Sequence, residues 1–361
     1  MHSFTRTHCV RMVSENVAIA ICIVVMTVTG AVQAILMPLI LMDYESIYFV
    51  SLWTSVQFFV FFGVIYFWTC RRFSAHKISM PSHKLTIVLS GIFSALMSIL
   101  KVYSSHPNRT PPVMQAILAS LSILPNVFFT KVILKKVVRY DKRFIIPSCV
   151  FMAASVGISL VPLSSSWSAY SVLWILMYSA GTLSRSAYCI FQEKYFIDTG
   201  DTTLLNQVVI MFYTRVVHLI VVIPFFWLDY FIGNTSTPWT SFANNFIAFF
   251  TRIKDFGMFE GFIIGFMVFY VFSVYLNGIS SNFNMIATIA VSPSVGIFFT
   301  VFSGLNPGVY YPWYIVVPAL CCSVASIILW IIGEKRDGYI ELEDAVTKSD
   351  CTPNDATKCC N

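Results

Sequence analysis

Residues 204–227 read LLNQVVIMFYTRVVHLIVVIPFFW, an apolar run of 24 residues with a single Arg and a single His. A helix of about 20 residues crosses the hydrocarbon core of a bilayer, which offers no hydrogen-bonding partner to an open backbone. Runs of this kind are therefore read as transmembrane helices. Ten such spans follow one another along the chain: 17–41, 47–69, 85–101, 112–133, 144–163, 169–192, 204–227, 261–279, 285–303 and 314–332.

The composition also indicates an all-α, polytopic membrane protein. Of 361 residues, 57% are hydrophobic and 11% are charged, and the mean hydropathy is +0.75. Soluble domains carry about 25% charged residues. The net charge of +6 therefore reflects where basic residues sit relative to the bilayer, and no nucleic-acid partner is predicted.

The positions of the basic residues predict the orientation of the spans. With the N-terminus in the cytosol, 17 of the 23 Lys and Arg residues fall on the cytosolic side. An excess of Lys and Arg in cytosolic loops is the usual signal of orientation, so both termini are predicted to be cytosolic. The two sequons, at Asn108 and Asn234, then lie in non-cytosolic loops as glycosylation candidates. Four basic residues lie on the non-cytosolic side: Lys101, Arg109, Arg252 and Lys254.

The spans divide the chain into one membrane domain with two halves. A cytosolic segment, 1–16, precedes the domain at 17–332, and a polar tail at 333–361 is predicted to be disordered. The halves are 17–163 and 169–332, with five spans each. An odd number of spans gives the halves opposite orientations, which predicts a 5+5 inverted pseudo-repeat of the kind found in transporters.

The loop after the seventh span, 228–260, has a helical pattern. Thr237 and Pro238 form a good N-cap and first-turn pair. Aromatic and aliphatic residues then recur at helical spacing: Trp239, Phe242, Phe246, Phe249, Phe250 and Ile253. This predicts a short juxtamembrane helix in the interface, and a collapsed aromatic loop is the alternative.

Arg215 lies near the middle of the seventh span, roughly 16 Å from either end at 1.5 Å per residue. A charge at this depth costs about 2.5–3.5 kcal/mol, so it should face a cavity or a partner. Gln207, Met211, Thr214 and His218 continue one helical stripe beside it. Arg215 fits a place in a substrate pathway or a hydrogen bond between helices, for which backbone carbonyls and Asn126 are the candidate acceptors. His218 is either a proton carrier or a buried neutral histidine.

Other polar residues at membrane depth extend the candidate pathway. On the sixth span Arg185, Tyr188 and Gln192 share a face, although Arg185 is close enough to the cytosolic end to snorkel. The predicted pathway residues are Gln33, Gln115, Asn126, Arg185, Tyr188, Gln207, Met211, Thr214, Arg215, His218 and Asn277.

Several segments carry a resemblance to a known family. They are QAILASLSILPNVFFTKVIL (115–134), YCIFQEKYFID (188–198), PWTSFANNFIAFF (238–250), SPSVGIFF (292–299) and ILWIIGEKRD (328–337). In order and spacing these resemble the chloroquine-resistance-transporter-like family of the drug/metabolite transporter superfamily. The resemblance is scattered over most of 45–337 and implies ten helices, a 5+5 repeat and a central cavity that opens alternately to either side.

This chain departs from the best-known branch of that family in two ways. It has no Cys between 190 and 320, where that branch has a cysteine-rich loop. That branch also has an acidic cavity for cationic drugs, amino acids and peptides, whereas no Asp or Glu lies deep in the spans predicted here. The intramembrane arginines instead predict a substrate with a carboxylate or phosphate group.

The motifs and their absences favour transport over catalysis. The chain has no P-loop, H-E-x-x-H, G-x-S-x-G or CxxC motif, so we expect neither an enzyme nor a metal or cofactor site. The prediction is a secondary-active transporter of a small organic solute (amino acid, peptide, glutathione-like or drug-like), with protons as a candidate coupling ion. The alternatives are a nucleotide-sugar-type transporter of the same superfamily, a seven-span receptor and a non-transporting scaffold.

The C-terminal tail contains a candidate sorting signal. Tyr339 and Leu342 frame YIEL, which looks like a tyrosine-based sorting signal for endosomal routes. The predicted location is an endomembrane, vacuolar, lysosomal or endosomal, with the plasma membrane as the alternative.

Overall fold

The computed structural model describes the backbone of residues 2–72, 83–135, 141–162, 169–305 and 311–349. Side chains are described within 16–333 of these ranges, except at 169, 170 and 303. The α-helices in this part of the chain are α1 His2–Asp43, α2 Ile47–Arg72, α3 Lys84–Ser104, α4 Pro112–Ser120, α5 Ile123–Ile133, α6 Lys142–Leu160, α7 Ala169–Thr199, α8 Leu204–Val222, α9 Leu228–Phe231, α10 Pro238–Thr251, α11 Ile253–Ile279, α12 Ser281–Val301 and α13 Trp313–Ser349. Short 3₁₀ turns follow α8, at Ile223–Trp227, and α12, at Ser303–Leu305.

Nine segments of the described chain are long and apolar enough to cross a membrane. The prediction of an all-α, multi-pass membrane protein is therefore confirmed at that level. These segments coincide with nine of the ten predicted spans. The remaining span corresponds to α7, a helix of 31 residues whose many Ser and Tyr residues, with Arg185, make it more polar. The count of ten stays a prediction.

The distribution of side chains is that of a protein surrounded by lipid. Large apolar side chains cover the outside, such as Val24, Val64 and Phe128, which are 62%, 65% and 60% exposed. Hydroxyl groups lie between the helices instead. Ser148 of α6 donates to the Ser326 carbonyl of α13 at 2.7 Å, and Ser155 donates to the Ala319 carbonyl at the same distance. In a bilayer such internal pairing is needed because lipid satisfies no polar group.

The largest cluster of buried apolar residues is rich in aromatic rings. Phe58 and Phe62 of α2 pack against Tyr270 of α11, with ring centroids 6.0 and 5.1 Å apart. Towards the non-cytosolic end of the predicted topology, Phe49 lies 6.2 Å from Phe259. Edge-to-face and tilted pairs of this kind each add about 0.5–1.5 kcal/mol beyond burial. They join α2 to α11, which are far apart in sequence.

The fourth predicted span is a broken helix. α4 ends at Ser120 and α5 begins at Ile123, with a turn at Leu121 and Ser122 between them. Pro125 explains the position of the break, because it has no N–H to donate to the Leu121 carbonyl and its ring crowds that group. Pro293, by contrast, is accommodated inside the continuous helix α12.

The short helix predicted after the seventh span is present as α10. It begins with Thr237 at the N-cap and Pro238 in the first turn. Phe249 is buried against α2 and α11, with its ring 5.3 Å from that of Phe259, whereas Trp239 and Phe250 are 66% and 58% exposed. The predicted helix is therefore present, but its buried face consists of Pro238, Ser241, Asn245 and Phe249, and most of the predicted aromatic stripe is exposed.

The boundaries of the membrane domain at residues 17 and 332 stay predictions, because the helices at both ends continue past them. α1 is helical from His2, and α13 continues past the predicted tail boundary at 333 to Ser349. Residues 350–361 and the side chains of Tyr339 and Leu342 lie outside the described part.

Gly91 allows α3 and α8 to come close together. A Cβ at this position would lie 2.5 Å from Val217 Cβ and 3.2 Å from the Thr214 carbonyl oxygen. A Cβ at Gly157 in α6 would meet nothing within 4 Å. The two glycines therefore form a matched pair for testing the packing.

Gly91→Ala is expected to lower the thermal midpoint of the protein in detergent, because overpacking at a close contact costs about 1–3 kcal/mol. Gly157→Ala is the control and should leave the midpoint unchanged or slightly raised, since Ala favours helix more than Gly does. Equal midpoints for the two variants would contradict the close packing of α3 on α8.

Candidate functional site

A central cavity lies between α1, α3, α4, α7, α11 and α12. Its volume is about 140 Å³, enough for several waters or a small solute. Its polar lining consists of Gln33, Ser98, Lys101, Ser105, Gln115, Tyr178, Arg185, Thr288 and Ser292. Its apolar lining includes Met37, Met97, Phe266, Phe269, Val291 and Val295.

Three of the predicted pathway residues line this cavity: Gln33, Gln115 and Arg185. Lys101 joins them, although the sequence reading placed it at the non-cytosolic end of the third span. α3 continues to Ser104, so Lys101 lies one turn inside the helix. The sequence spacing could have indicated that Lys101 faces the cavity, because residues three and four apart share one side of a helix. The residues on that side of α3 are Met97, Ser98, Lys101 and Ser105.

Gln115 also supports the loop between α3 and α4. Its Nε2 donates to the Ser105 carbonyl at 2.9 Å and to the Thr110 carbonyl at 2.6 Å. Both amide hydrogens are therefore used by the protein. Gln115 shapes the wall of the cavity by fixing the backbone at the start of α4.

Arg185 is buried, with 8% of its surface exposed. Its Nη2 donates to Thr288 Oγ1 at 2.8 Å and to Asn284 Oδ1 at 3.3 Å, both on α12. Its guanidinium carbon lies 5.0 Å from the ring centroid of Phe269, a cation–π contact. The snorkelling alternative does not describe this side chain, because it points into the helix bundle.

A chain of buried amides runs from Arg185 towards the α11–α12 turn. Asn284 Nδ2 donates to Asn277 Oδ1 at 2.8 Å, and Asn277 Nδ2 donates to Gln192 Oε1 at 2.7 Å. Next along α7, the carboxylate of Glu193 accepts from the backbone N–H of Ser281, the first residue of α12, at 2.9 Å. Asn277 therefore belongs to this chain and does not line the cavity. Asn284, which the sequence reading missed, connects it to Arg185.

Arg215 and His218 form a separate, packed cluster. Arg215 is 3% exposed, and its guanidinium carbon lies 3.8 Å from the Tyr270 ring centroid and 4.8 Å from that of Phe58. Its Nη1 donates to Ser94 Oγ at 3.5 Å. Neither Arg215 nor His218 lines the central cavity. Packing between α2, α3, α8 and α11 therefore accounts for Arg215, with aromatic rings in place of the predicted Asn126.

The hydrogen bonds around His218 favour its neutral form. Ser55 donates to the Ser51 carbonyl at 2.7 Å, so its oxygen accepts from His218 Nε2–H at 3.1 Å. Nδ1 then accepts from Ser94, 2.9 Å away, whose oxygen accepts from Arg215. This assignment is inferred from the network. It satisfies both ring nitrogens of His218 and the hydroxyls of Ser55 and Ser94 with one proton on the ring.

The other predicted pathway residues lie elsewhere. Asn126 donates to Asn282 Oδ1 at 2.7 Å, and Gln207 donates to the Thr202 carbonyl at 2.9 Å near the start of α8. Met211, Thr214 and Tyr188 are buried between helices. None of the five lines the central cavity.

The two sequons meet at the predicted non-cytosolic end. Asn108 is exposed but is followed by a fully buried Thr110. Asn234 Nδ2 donates to Asp229 Oδ1 at 3.1 Å, and its Oδ1 accepts from Arg109. Asn108, Arg109 and Asn234 line a second cavity of about 390 Å³ with His106. Burial, and then the charge of Arg109, lower the pKa of His106, so this histidine is neutral at pH 7.

No family model matches this chain, and no curated protein matches it. A solved structure described as "Crystal structure of protein" is similar over 88% of this chain and 98% of its own, with a TM-score of 0.53 and 11% sequence identity. At this identity the likeness concerns the fold alone. The resemblance to the chloroquine-resistance-transporter-like family stays an expectation.

Ser94→Ala is expected to destabilise the protein by about 1–3 kcal/mol, because Arg215 and His218 would each lose a buried hydrogen bond. Ser90, one turn earlier, is the matched control. It is fully buried, and its hydroxyl finds no hydrogen-bond partner among the described residues. Thermal unfolding in detergent should show a lower midpoint for Ser94→Ala than for Ser90→Ala. The serine network would be refuted by equal midpoints.

Proposed function

We propose that this chain is a secondary-active transporter that moves a small organic solute across a membrane by alternating access. The observation that carries the proposal is a polar cavity enclosed by apolar helices from both halves. Gln33 and Lys101 come from the first half, and Arg185, Thr288 and Ser292 from the second. Transporters built from repeats bind their substrates between the halves, near the midplane.

The pairing of helices supports the 5+5 repeat that this proposal includes. In the ten-span numbering, α3 packs on α7 as the third span on the sixth, and α1 packs on α11 as the first on the eighth. In a 5+5 repeat each span corresponds to the span five places away, so the third corresponds to the eighth and the sixth to the first. The pair of third and sixth spans is therefore equivalent to the pair of eighth and first spans. The same correspondence converts α2–α8, α4–α12 and α6–α13 into themselves. In this proposal α7 is the sixth of the ten spans.

The broken fourth span supports a binding site at the same place. α4 ends within the bundle, and Pro112, Gln115, Ala116 and Ala119 of α4 all line the cavity. Transporters use discontinuous helices in this way, because non-helical backbone is tolerated in a membrane only where protein or a water-filled cavity surrounds it.

The proposed family is the chloroquine-resistance-transporter-like family, and the proposed location is an endomembrane with both termini cytosolic. The nucleotide-sugar-type transporter shares this architecture and differs in cargo. More than seven membrane-length helices within the described chain do not fit a seven-span receptor. A scaffold would have no use for a polar cavity. Because the serine network favours neutral His218, we do not propose that residue as the proton carrier.

Purified protein in proteoliposomes is expected to take up one class of labelled solute saturably, from a panel of amino acids, short peptides, glutathione and nucleotide sugars, with and without a pH gradient. Ala119→Phe should abolish uptake because the ring would fill the cavity. Ala153→Phe is the control, since Ala153 is exposed on the outside of α6. Uptake by Ala153→Phe should equal uptake by the parent protein.

Thermal midpoint and elution volume of both variants would show that they are folded. The transport proposal would be overturned if folded parent protein took up none of the panel. Equal uptake by Ala119→Phe and Ala153→Phe would remove the central cavity from the pathway.

A further inference from the structure

Two cations line the central cavity without an acidic partner. Lys101 and Arg185 face it, and the described lining residues include no Asp or Glu. Among the described residues, no carboxylate lies within ion-pair distance of either cation. A charge at membrane depth is costly unless something compensates it, so unpaired cations there mark candidate functional sites.

Lys101 is held in place by contacts that leave its charge uncompensated. Its Nζ lies 5.3 Å from the ring centroid of Tyr178 on α7. Its stem packs over Gly181, where a Cβ would lie 2.8 Å from Lys101 Cγ. A cation–π contact provides less than a desolvated ion pair would, and it uses none of the three ammonium hydrogens. The ammonium can therefore donate to an anion in the cavity.

Arg185, which lines the same cavity, uses only part of its hydrogen-bonding capacity. Two of its contacts go through one nitrogen, Nη2, to Thr288 and Asn284. Its Nε finds no hydrogen-bond partner among the described residues, although the side chain is 92% buried. A carboxylate or phosphate accepts from two guanidinium nitrogens at once, which a hydroxyl or an amide oxygen does less well.

The cavity presents further features that suit an organic anion. α4 begins at the lining residue Pro112, so the positive end of its helix dipole lies at the cavity. The amide of Gln33 can donate to the anion. Phe266, Phe269, Val291 and Val295 provide apolar surface for a hydrocarbon portion. A small inorganic ion would leave that surface unused.

We infer that the central cavity binds a small organic anion, with its carboxylate or phosphate group held jointly by Lys101 and Arg185. The inference rests on the proposed transport function and specifies the charge of the substrate. It assigns recognition to Lys101 in place of Arg215, whose guanidinium packs on aromatic rings outside the cavity. It also gives the cavity a charge opposite to the one that the family resemblance implies.

The first test compares probes of opposite charge on the full-length protein in detergent. Glutarate and glutathione supply carboxylates, and UDP-glucose supplies phosphates. Cadaverine and lysinamide are the cations, and glucose is neutral. A ligand that binds the folded state raises the thermal midpoint in a concentration-dependent way. At least one anion should raise the midpoint saturably, and the cations and glucose should not.

The second test uses variants of Lys101 with the best anion. Lys101→Gln should weaken its binding by about tenfold to a hundredfold, the loss expected for one hydrogen bond to a charged group. Lys101→Arg keeps the charge and should retain most of the affinity. Lys84→Gln is the control, because Lys84 is exposed at the other end of α3. The affinity of Lys84→Gln for the anion should equal that of the parent protein.

Several outcomes would overturn the inference. They are stabilisation by cadaverine or lysinamide that equals or exceeds that by the anions, no response to any anion, and unchanged anion affinity in Lys101→Gln. The comparison of anions and cations on the parent protein needs no variant, so a misfolded Lys101→Gln would not remove the test. Saturable uptake of a cationic solute would sink the inference and leave the transport proposal standing.

Discussion

The absence of water in the bilayer core is the constraint on which the rest of this structure depends. Each polar group between the helices must find a partner in the protein or face a cavity, because lipid provides none. The hydroxyls of Ser148 and Ser155 find such partners by donating to backbone carbonyls across the α6–α13 contact. The broken backbone between α4 and α5 is compatible with the same constraint because it lies inside the bundle. Apolar side chains, by contrast, can cover the outside.

The two intramembrane arginines satisfy this constraint in different ways. Arg215 packs its guanidinium on Tyr270 and Phe58 and shares Ser94 with His218, so its charge is used in holding α3, α8 and α11 together. Arg185 instead faces the cavity. The Nε atoms of both arginines find no hydrogen-bond partner among the described residues, so what distinguishes the two side chains is the cavity beside Arg185. The two arginines differ in their surroundings and not in their burial, since both side chains are more than nine-tenths buried.

Arg185 also connects the cavity to the predicted cytosolic end of the bundle. The amides of Asn284, Asn277 and Gln192 continue from it towards the turn between α11 and α12. An anion that binds the other nitrogens of the guanidinium and draws it into the cavity would pull Nη2 away from Asn284 and Thr288. In the proposed transport cycle, this movement would link occupancy of the cavity to the contacts that join α7 to α12.

The amino-acid sequence by itself determined the membrane class, the approximate positions of nine spans and the helix α10, because these follow from local hydropathy and capping. It also identified Gln33, Gln115 and Arg185 as polar residues at depth. It did not separate them from Arg215, His218 and Asn277, and it placed Lys101 outside the pathway. Only the tertiary structure decided these points. The reason is that neighbours distant in sequence decide which face of a helix meets an aromatic ring, an amide or a cavity. The hydropathy of a single span contains no information about those neighbours.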